Sequence, residues 1–363
     1  MSPFVALALL VLCLPTPSAK NHAVKTSTLE DVLYTYTFNS IKKNSPTGVF
    51  TSSLGAIVIG GDDEGWVYRS SDYGKTFSQS KPLALDNAAG THASIYGCAM
   101  SLSGQKVVIG TATHANFHST DYGETFTKSD AGQPCSLVVG NADLTRIVCI
   151  GGKKGEKSYL MYGHAHAKKL TKSDAGNRAW VGLVSDSTLS HIVAVEAASS
   201  NYVYISKDKG MTWGNPVLAA DDGNSGDWGV LCASGSAMTL MLTDTDSLNA
   251  HISIDGGLEW IQAFDAASNG VSKADGMSLN GCAISGSGEY FSLGFTGYYL
   301  QVASRCTKIT RAGFEHCDNN WSSQTTLYSD ADSYDTAFMA FSKLGDKFYS
   351  VDAAGSSIAT GAL

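Results

Sequence analysis

The sequence predicts an all-β chain that closes on itself as a ring of small sheets, and three observations carry that prediction. An eight-residue turn recurs as "SSDYGKTF" (70–77), "STDYGETF" (119–126), "SKDKGMTW" (206–213) and "SIDGGLEW" (253–260). Its opening serines are 49, 87 and 47 residues apart, so the middle interval holds about two units. A period in the forties belongs to solenoids and propellers. A pair of apolar segments around a short turn occurs seven times, among them "VFTSSLGAIVIGG", "CAMSLSGQKVVIGT" and "GVLCASGSAMTLMLTD". Finally, the last unit ends one strand short at "SSIATGAL", while "DVLYTYTFNS" (31–40) stands alone before the first. The expected fold is a seven-bladed β-propeller closed by the N-terminal strand, with six blades as the alternative count. Closure of this kind pairs the two strand edges that would otherwise template aggregation.

In chain order, an apolar run from Phe4 to Leu14, followed by Pro15, Pro17 and small residues, reads as a secretory signal peptide over 1–19. The run is too short to cross a bilayer, and no later stretch approaches the roughly 20 apolar residues a membrane helix needs. The expectation is a secreted protein with one domain over 20–363 and no membrane span. Each unit then repeats one order: apolar segment, Gly/Ser turn, second apolar run, loop, Tyr/Ser-rich strand, Asp turn, short strand. Unit two shows it as "YGCAMSLSGQKVVIGTATHANFHSTDYGETFTKS", four short strands joined by Gly- and Asp-bearing turns. The long interval hides a degenerate copy, "KSYLMYGHAHAKKLTKSDAG" (157–176), whose "TKSDAG" repeats 127–132.

The 25 basic and 33 acidic residues give a net charge of −8 with no basic block, which excludes nucleic acid as a partner. Of eight cysteines, Cys13 leaves with the leader and seven enter an oxidising compartment. Cys306 and Cys317 are close enough in sequence to staple a hairpin. Cys98, Cys232 and Cys282 stand in similar settings, "YGCAMS", "GVLCAS" and "NGCAIS", and read as small buried core residues at one repeat position. An odd count leaves one thiol unpaired or available between chains. Asn320-Trp321-Ser322 is a glycosylation sequon, expected on the outer rim.

The turn S-x-D-x-G-x-T-W/F resembles the Asp box, or BNR repeat, of sialidases, some glycoside hydrolases, sortilin-type receptor domains and photosystem assembly propellers. Two copies carry Phe77 and Phe126 where the motif has Trp; the fourth has Glu259 in place of Thr. The carboxylates of Asp72, Asp121, Asp208 and Asp255 are suited to accept backbone N–H groups that the turn leaves unpaired. Gly74, Gly123, Gly210 and Gly257 are suited to positive φ. The closing aromatics Phe77, Phe126, Trp213 and Trp260 are expected to fill the space between adjacent blades. The resemblance implies that the box is a structural fastener on the face away from the ligand.

The resemblance therefore directs attention to the opposite loops. Those loops include "GGDDEGW" (60–66), "LAADDGNSGDWG" (218–229) and "LYSDADSYDTA" (327–337), most bearing Asp with an aromatic nearby. Carboxylates accept sugar hydroxyls while a ring stacks on the apolar sugar face, so Trp66, Arg178, Trp180, Asp222, Asp227, Trp228, Asp332 and Tyr334 are candidate ligand-binding residues. The same residues also make good turns, and Trp180 and Trp228 sit where a core aromatic would fit. Asp221, Asp222 and Asp227 offer oxygen ligands for Ca²⁺, the one candidate cofactor, without matching a defined calcium loop. The sialidases that the turn resembles use an arginine triad, a Phe/Tyr-Arg-Ile-Pro segment and a Tyr nucleophile partnered by Glu. Here that segment is missing and the arginines are few: Arg69, Arg146, Arg178, Arg305 and Arg311. No carboxylate pair stands out for glycoside hydrolysis, and no Gly-x-Ser-x-Gly elbow precedes a helix. The reading is a secreted, non-catalytic propeller recognising a glycan or an extracellular protein. A glycoside hydrolase of an Asp-box family and a self-assembling extracellular or cell-wall subunit are the alternatives.

Overall fold

A computed structural model describes the backbone of residues 35–362 except 41–45, 53–54, 63–64, 80–94, 112–114, 130–133, 153–154, 166–168, 198–201, 220–226, 270–276, 297–299, 311–312, 319–323, 327–335, 342–346 and 353–356. Side chains are described from Val49 to Phe295, apart from Asp62 and Asn269, and at Ala340. Strand β1 (Thr35–Ser40) comes first. A sheet follows in sequence order: β2 (Pro46–Thr51), β3 (Val58–Asp62), β4 (Val67–Ser70) and β5 (Ser78–Gln79). The next is β6 (Ile95–Met100), β7 (Val107–Thr111), β8 (Phe117–Ser119) and β9 (Thr127–Lys128). A seven-stranded sheet comprises β10 (Cys135–Gly140), β11 (Arg146–Gly151), β12 (Lys157–His164), β13 (Thr171–Ser185), β14 (Ile192–Glu196), β15 (Tyr202–Ser206) and β16 (Val217–Leu218). Then come β17 (Trp228–Ala233), β18 (Leu240–Asp244), β19 (Ala250–Ser253) and β20 (Ile261–Phe264). The sixth group is β21 (Ser278–Ile284), β22 (Tyr290–Thr296), β23 (Leu300–Thr310) and β24 (Gly313–Asp318), with β25 (Gln324–Thr326) also on β23. Strands β26 (Thr336–Phe341), β27 (Lys347–Asp352) and β28 (Ser357–Ala362) complete the chain. The only helical piece among the described residues is a 3₁₀ turn at Ala267–Asn269.

All the ladders are antiparallel, and β1 pairs with β28 from Thr35 opposite Ala362 to Ser40 opposite Ser357. The N-terminal strand thus supplies the fourth strand of the last sheet, as the short C-terminal unit requires. The first strands of successive groups neighbour one another in the cyclic order β2, β6, β10, β13, β17, β21, β26 and back to β2. Strand β13 belongs to two groups. Its first part pairs with β12, Thr171 lying opposite Tyr162, and its second with β14, from Trp180 opposite Glu196 to Ser185 opposite Ile192. The repeated "TKSDAG" is therefore the start of one 15-residue strand. That degenerate unit lacks the Asp turn that elsewhere joins the third strand to the fourth, and its fourth strand runs on without a loop into the first strand of the next group.

Packing between neighbouring sheets explains the strand composition. Strand β7 is buried at all five positions and β14 at four of five, because both faces of a middle strand meet a neighbouring sheet. Ile57, Ile59 and Val67 of one sheet join Ile95, Ile109 and Phe117 of the next in one core. Met241 and Ile252 likewise join Leu279, Phe291 and Leu293, with Phe264 tilted against Phe295 at 5.8 Å between ring centroids.

The cysteines correct one sequence expectation. Cys232 and Cys282 are not two free core thiols: they form a disulfide joining β17 to β21, with 6.0 Å between Cα atoms. Cys135 and Cys149 form a second one between β10 and β11. The shared repeat position of Cys232 and Cys282 is the reason for the first bridge, since it sets them on adjacent inner strands, whereas the second joins neighbouring strands of one hairpin. Cys98 is the free cysteine among the described residues. Cys306 and Cys317 are Cα partners in the β23–β24 ladder, although their side chains lie outside the described residues. No helix among the described residues is long and apolar enough to cross a membrane.

Candidate functional site

The repeated turns have the geometry their sequence calls for. Ser70 Oγ donates to Asp72 Oδ1 at 2.7 Å, the Thr76 amide donates to the same oxygen at 2.9 Å, and Thr76 Oγ1 donates to Oδ2 at 2.6 Å. The pattern repeats around Asp121 and Asp208. Around Asp255 the amides of Leu258 and Glu259 donate, and the hydroxyl bond is replaced because Glu259 stands where Thr would be. Burial alone would raise the Asp121 carboxyl, but hydrogen bonds from Ser119, Thr125 and Glu124 outweigh it and hold it at about 2. Asp72 and Asp208 are lowered by the same balance.

Gly123 and Gly210 adopt φ of 81° and 82°, and a Cβ there would meet Ile59 of the preceding sheet and Val148 of the preceding group of strands, each at 2.7 Å. Phe126 packs against the core that Ile57, Ile59 and Val67 share with Ile95, Ile109 and Phe117, and Trp260 against the one that Val193, Val203 and Ile205 share with Leu240 and Leu242. These aspartates and glycines are fasteners whose bonding capacity is spent inside the turn.

The turns gather at one end of the ring. The amides of Tyr73, Tyr122, Lys209 and Gly256 donate to Ala56, Gln105, Leu189 and Met238, each in the first hairpin of the same sheet. Neighbouring hairpins are bonded in turn, Leu102 to Ala142, Ala142 to Ser187 and Gly235 to Gly286. This turn end carries Tyr73, Leu102, Tyr122, Met211, Met238 and Leu258, six of the eight exposed large hydrophobic residues among those described. Tyr73 and Tyr122 are held there with φ of 62° and 61°.

A cavity of about 950 Å³ runs along the inner strands. Its wall includes Phe50 of β2, Tyr96, Cys98 and Met100 of β6, Leu137 of β10, Val184 of β13, Val230 of β17 and Asn280 of β21. Residues of both faces border it, Val181 to Val184 on β13 and Trp228 to Ala233 on β17; in β6, Tyr96, Cys98 and Met100 stand beside it half-buried, and Cys98 and Met100 also pack on the core between the first two sheets. Burial pushes the Cys98 thiol well above its ordinary range. At the other end, the loop end, Gly155, Ala197, Asp227 and Trp228 border the cavity.

The sequence candidates are dispersed. Trp180 is wholly buried, edge-on to Tyr204 at 5.1 Å. Trp228 is 3% exposed, edge-on to His251 at 5.5 Å. Both lie in the core that their position before an inner strand also allowed, and neither presents a face to a sugar; their Nε1 atoms are buried with no hydrogen-bond acceptor among the described residues. Trp66 is half-buried against Val49, Val58 and Tyr68. Arg178 donates from Nη1 to Glu196 Oε2 at 3.1 Å and from Nε to the Ala175 carbonyl at 2.9 Å, and its guanidinium sits 4.8 Å from the Tyr204 ring centroid. Tyr204 also donates to Glu196, and its phenol is pushed up to about 12 by burial and then by the Glu196 charge. Asp227 is exposed, and its backbone carbonyl accepts from both the amide and the hydroxyl of Thr245. Asp221, Asp222, Asp332, Tyr334, Asn320 and the leader lie outside the described residues. Among the described residues no three His, Cys, Asp or Glu gather as a metal site would need. The sequence reading missed the cavity, which is bordered by strands from six sheets and leaves no local pattern in any one of them.

No protein-family model matches the chain, and no curated protein matches it in sequence. Solved structures do match in shape. The Cps50 (Swd1) β-propeller domain of Myceliophteria thermophila aligns with 90% of this chain and 98% of its own, at 10% identity and a TM-score of 0.63. YCF48 bound to D1 peptide aligns over 90% and 97%, at 11% identity and 0.64. Kuenenia stuttgartiensis hydrazine synthase aligns over 90% and 97%, at 9% identity and 0.65. At such identities the likeness shows the fold alone: the chain is a β-propeller.

Proposed function

We propose that this chain is an exported, non-catalytic binding propeller of seven Asp-box-type blades, and that its partner is an extracellular protein rather than a glycan. The blade count is supported by the cyclic order of seven inner strands, with β13 serving two blades. One observation carries the choice of partner: Trp180 and Trp228, two of the candidate sugar-stacking rings, are packed in the core, while exposed Tyr, Met and Leu side chains stand at the turn end, the face that the Asp-box resemblance sets away from a ligand. Aromatic residues and Met are what protein interfaces concentrate. The solved YCF48 propeller bound to D1 peptide is a precedent for polypeptide binding by this fold.

The test screens the secreted protein against an extracellular protein array and an immobilised glycan panel in parallel. A variant carrying Tyr73→Asn, Tyr122→Asn and Met211→Gln accompanies it; Asn tolerates the positive φ of the two tyrosines, so the fold should be kept. The expected result is saturable protein binding weakened about 10-fold or more in the variant, the size of loss that one or two interface anchors supply. Selective glycan binding that the variant retains, or turnover of a sugar substrate, would refute the proposal.

A further inference from the structure

The axial cavity makes no use of the turn end and so offers a second site, independent of the protein-binding reading. Its wall follows β17 along its whole length, from Asp227 and Trp228 to Ala233. At 3.2–3.4 Å per residue, six strand residues make it about 20 Å long. Its volume of about 950 Å³ falls at the upper end of the range that small-molecule sites occupy. The wall is set by strands that the ring already fixes in place, so the space is preformed.

Chemistry narrows the occupant. Phe50, Met100, Leu137, Val184 and Val230 make the wall mainly apolar, and the described lining includes neither Lys, Arg nor His. Asp227, at the loop end, is its one charged member. An anion would lose its hydration with no cation among the described lining to meet it, and Asp227 would repel it at the loop end. Water would find few of the two to four polar partners it needs along the Val and Leu stretches. Tyr96 and Asn280 supply polar groups suited to a hydroxyl or carbonyl on an otherwise apolar molecule. We infer that the axial cavity binds an uncharged, elongated lipophile, entered from the loop end beside Asp227, and discriminates against lipophilic anions.

Two dyes that differ chiefly by a sulfonate test this on the full secreted chain: uncharged N-phenyl-1-naphthylamine and anionic 1-anilinonaphthalene-8-sulfonate. The neutral dye should bind saturably at one per chain, about 10-fold or more tighter than the anionic one. It should also slow alkylation of Cys98 on the cavity wall by N-ethylmaleimide, followed over hours at about pH 9 with measurable labelling of the dye-free chain as the control, since burial keeps that thiol protonated at neutral pH. Leu137→Arg should weaken the neutral dye and narrow the gap between the two, since it adds the missing cation. Val230→Trp should weaken both by filling the space, and Tyr122→Asn at the turn end should change neither. Circular dichroism and thermal midpoint verify that each variant is folded; should Leu137→Arg fail to fold, Val230→Trp and Cys98 protection decide the matter. Equal affinity for the two dyes, binding that does not saturate, or Cys98 alkylation unaltered by bound neutral dye would overturn the inference. Loss of the dye site with protein binding intact would leave the partner reading standing.

Discussion

Removing the disulfide between Cys232 and Cys282 tests how the ring is held. The bridge closes a loop of 50 residues and ties two neighbouring sheets, whereas Cys135–Cys149 closes 14 residues within one hairpin. Loop-closure entropy makes the first worth about 4 kcal/mol and the second about 3 kcal/mol. With an unfolding entropy of about 2.1 cal/mol/K per residue, a chain of this length should lose about 5 °C in Tm for the first and about 4 °C for the second. The perturbation is the double variant Cys232→Ala/Cys282→Ala against Cys135→Ala/Cys149→Ala, each in non-reducing buffer, followed by differential scanning calorimetry. Removing both partners avoids leaving a stray thiol. Wild type with reductant should approach the quadruple variant. If Cys232→Ala/Cys282→Ala cost less than 1 °C, or clearly less than the hairpin pair, cross-linking between sheets would not stabilise the ring and the reasoning would fail.

The fastening turns make the fold acid-sensitive. Asp121 is depressed to about 2 in the folded chain, below its ordinary 3.8, so its contribution is present above pH about 4 and lost as pH falls through 2; Asp121→Asn should flatten the fall in Tm across that window, and an unchanged profile would refute the assignment. Gly210→Ala should destabilise by about 1–3 kcal/mol through its left-handed φ and the contact with Val148, whereas Gly155→Ala, with φ of 80° but open space around it, should show only the conformational part of about 1 kcal/mol. Equal losses at the two glycines in denaturant titrations would show that the fit between neighbouring groups of strands contributes nothing. Alkylation of the denatured, unreduced protein should label Cys98 alone, because Cys306 and Cys317 stand opposite each other in the β23–β24 ladder; labels on both of the latter, read by peptide mass, would exclude that bridge.

The local chemistry was legible in the sequence because it depends on neighbours within eight residues. Ser, Asp, Gly and Thr at fixed spacing can satisfy a turn by themselves, so the geometry at Asp72, Asp121 and Asp208 and the positive φ of Gly123 and Gly210 follow from "SxDxGxT" without knowing the fold. The short last unit and the orphan strand at 31–40 likewise implied the β1–β28 closure. Sheet partners and sides were another matter. Whether Trp180 and Trp228 face solvent or core, and whether "TKSDAG" turns or continues as β13, depends on which side of a strand faces the neighbouring sheet.

Cysteine pairing belongs to the same class, since Cys232 and Cys282 are 50 residues apart and meet only because the ring sets β17 beside β21. The axial cavity exists only once the inner strands have closed around it, since no single strand encloses space. By itself, then, the sequence determined the repeat, the turns and the closing strand, where contacts are local or repeat in register. Only the tertiary structure decided which aromatics are core, which thiols pair and what the ring encloses, because each of these is set by distance in space between residues far apart in the chain.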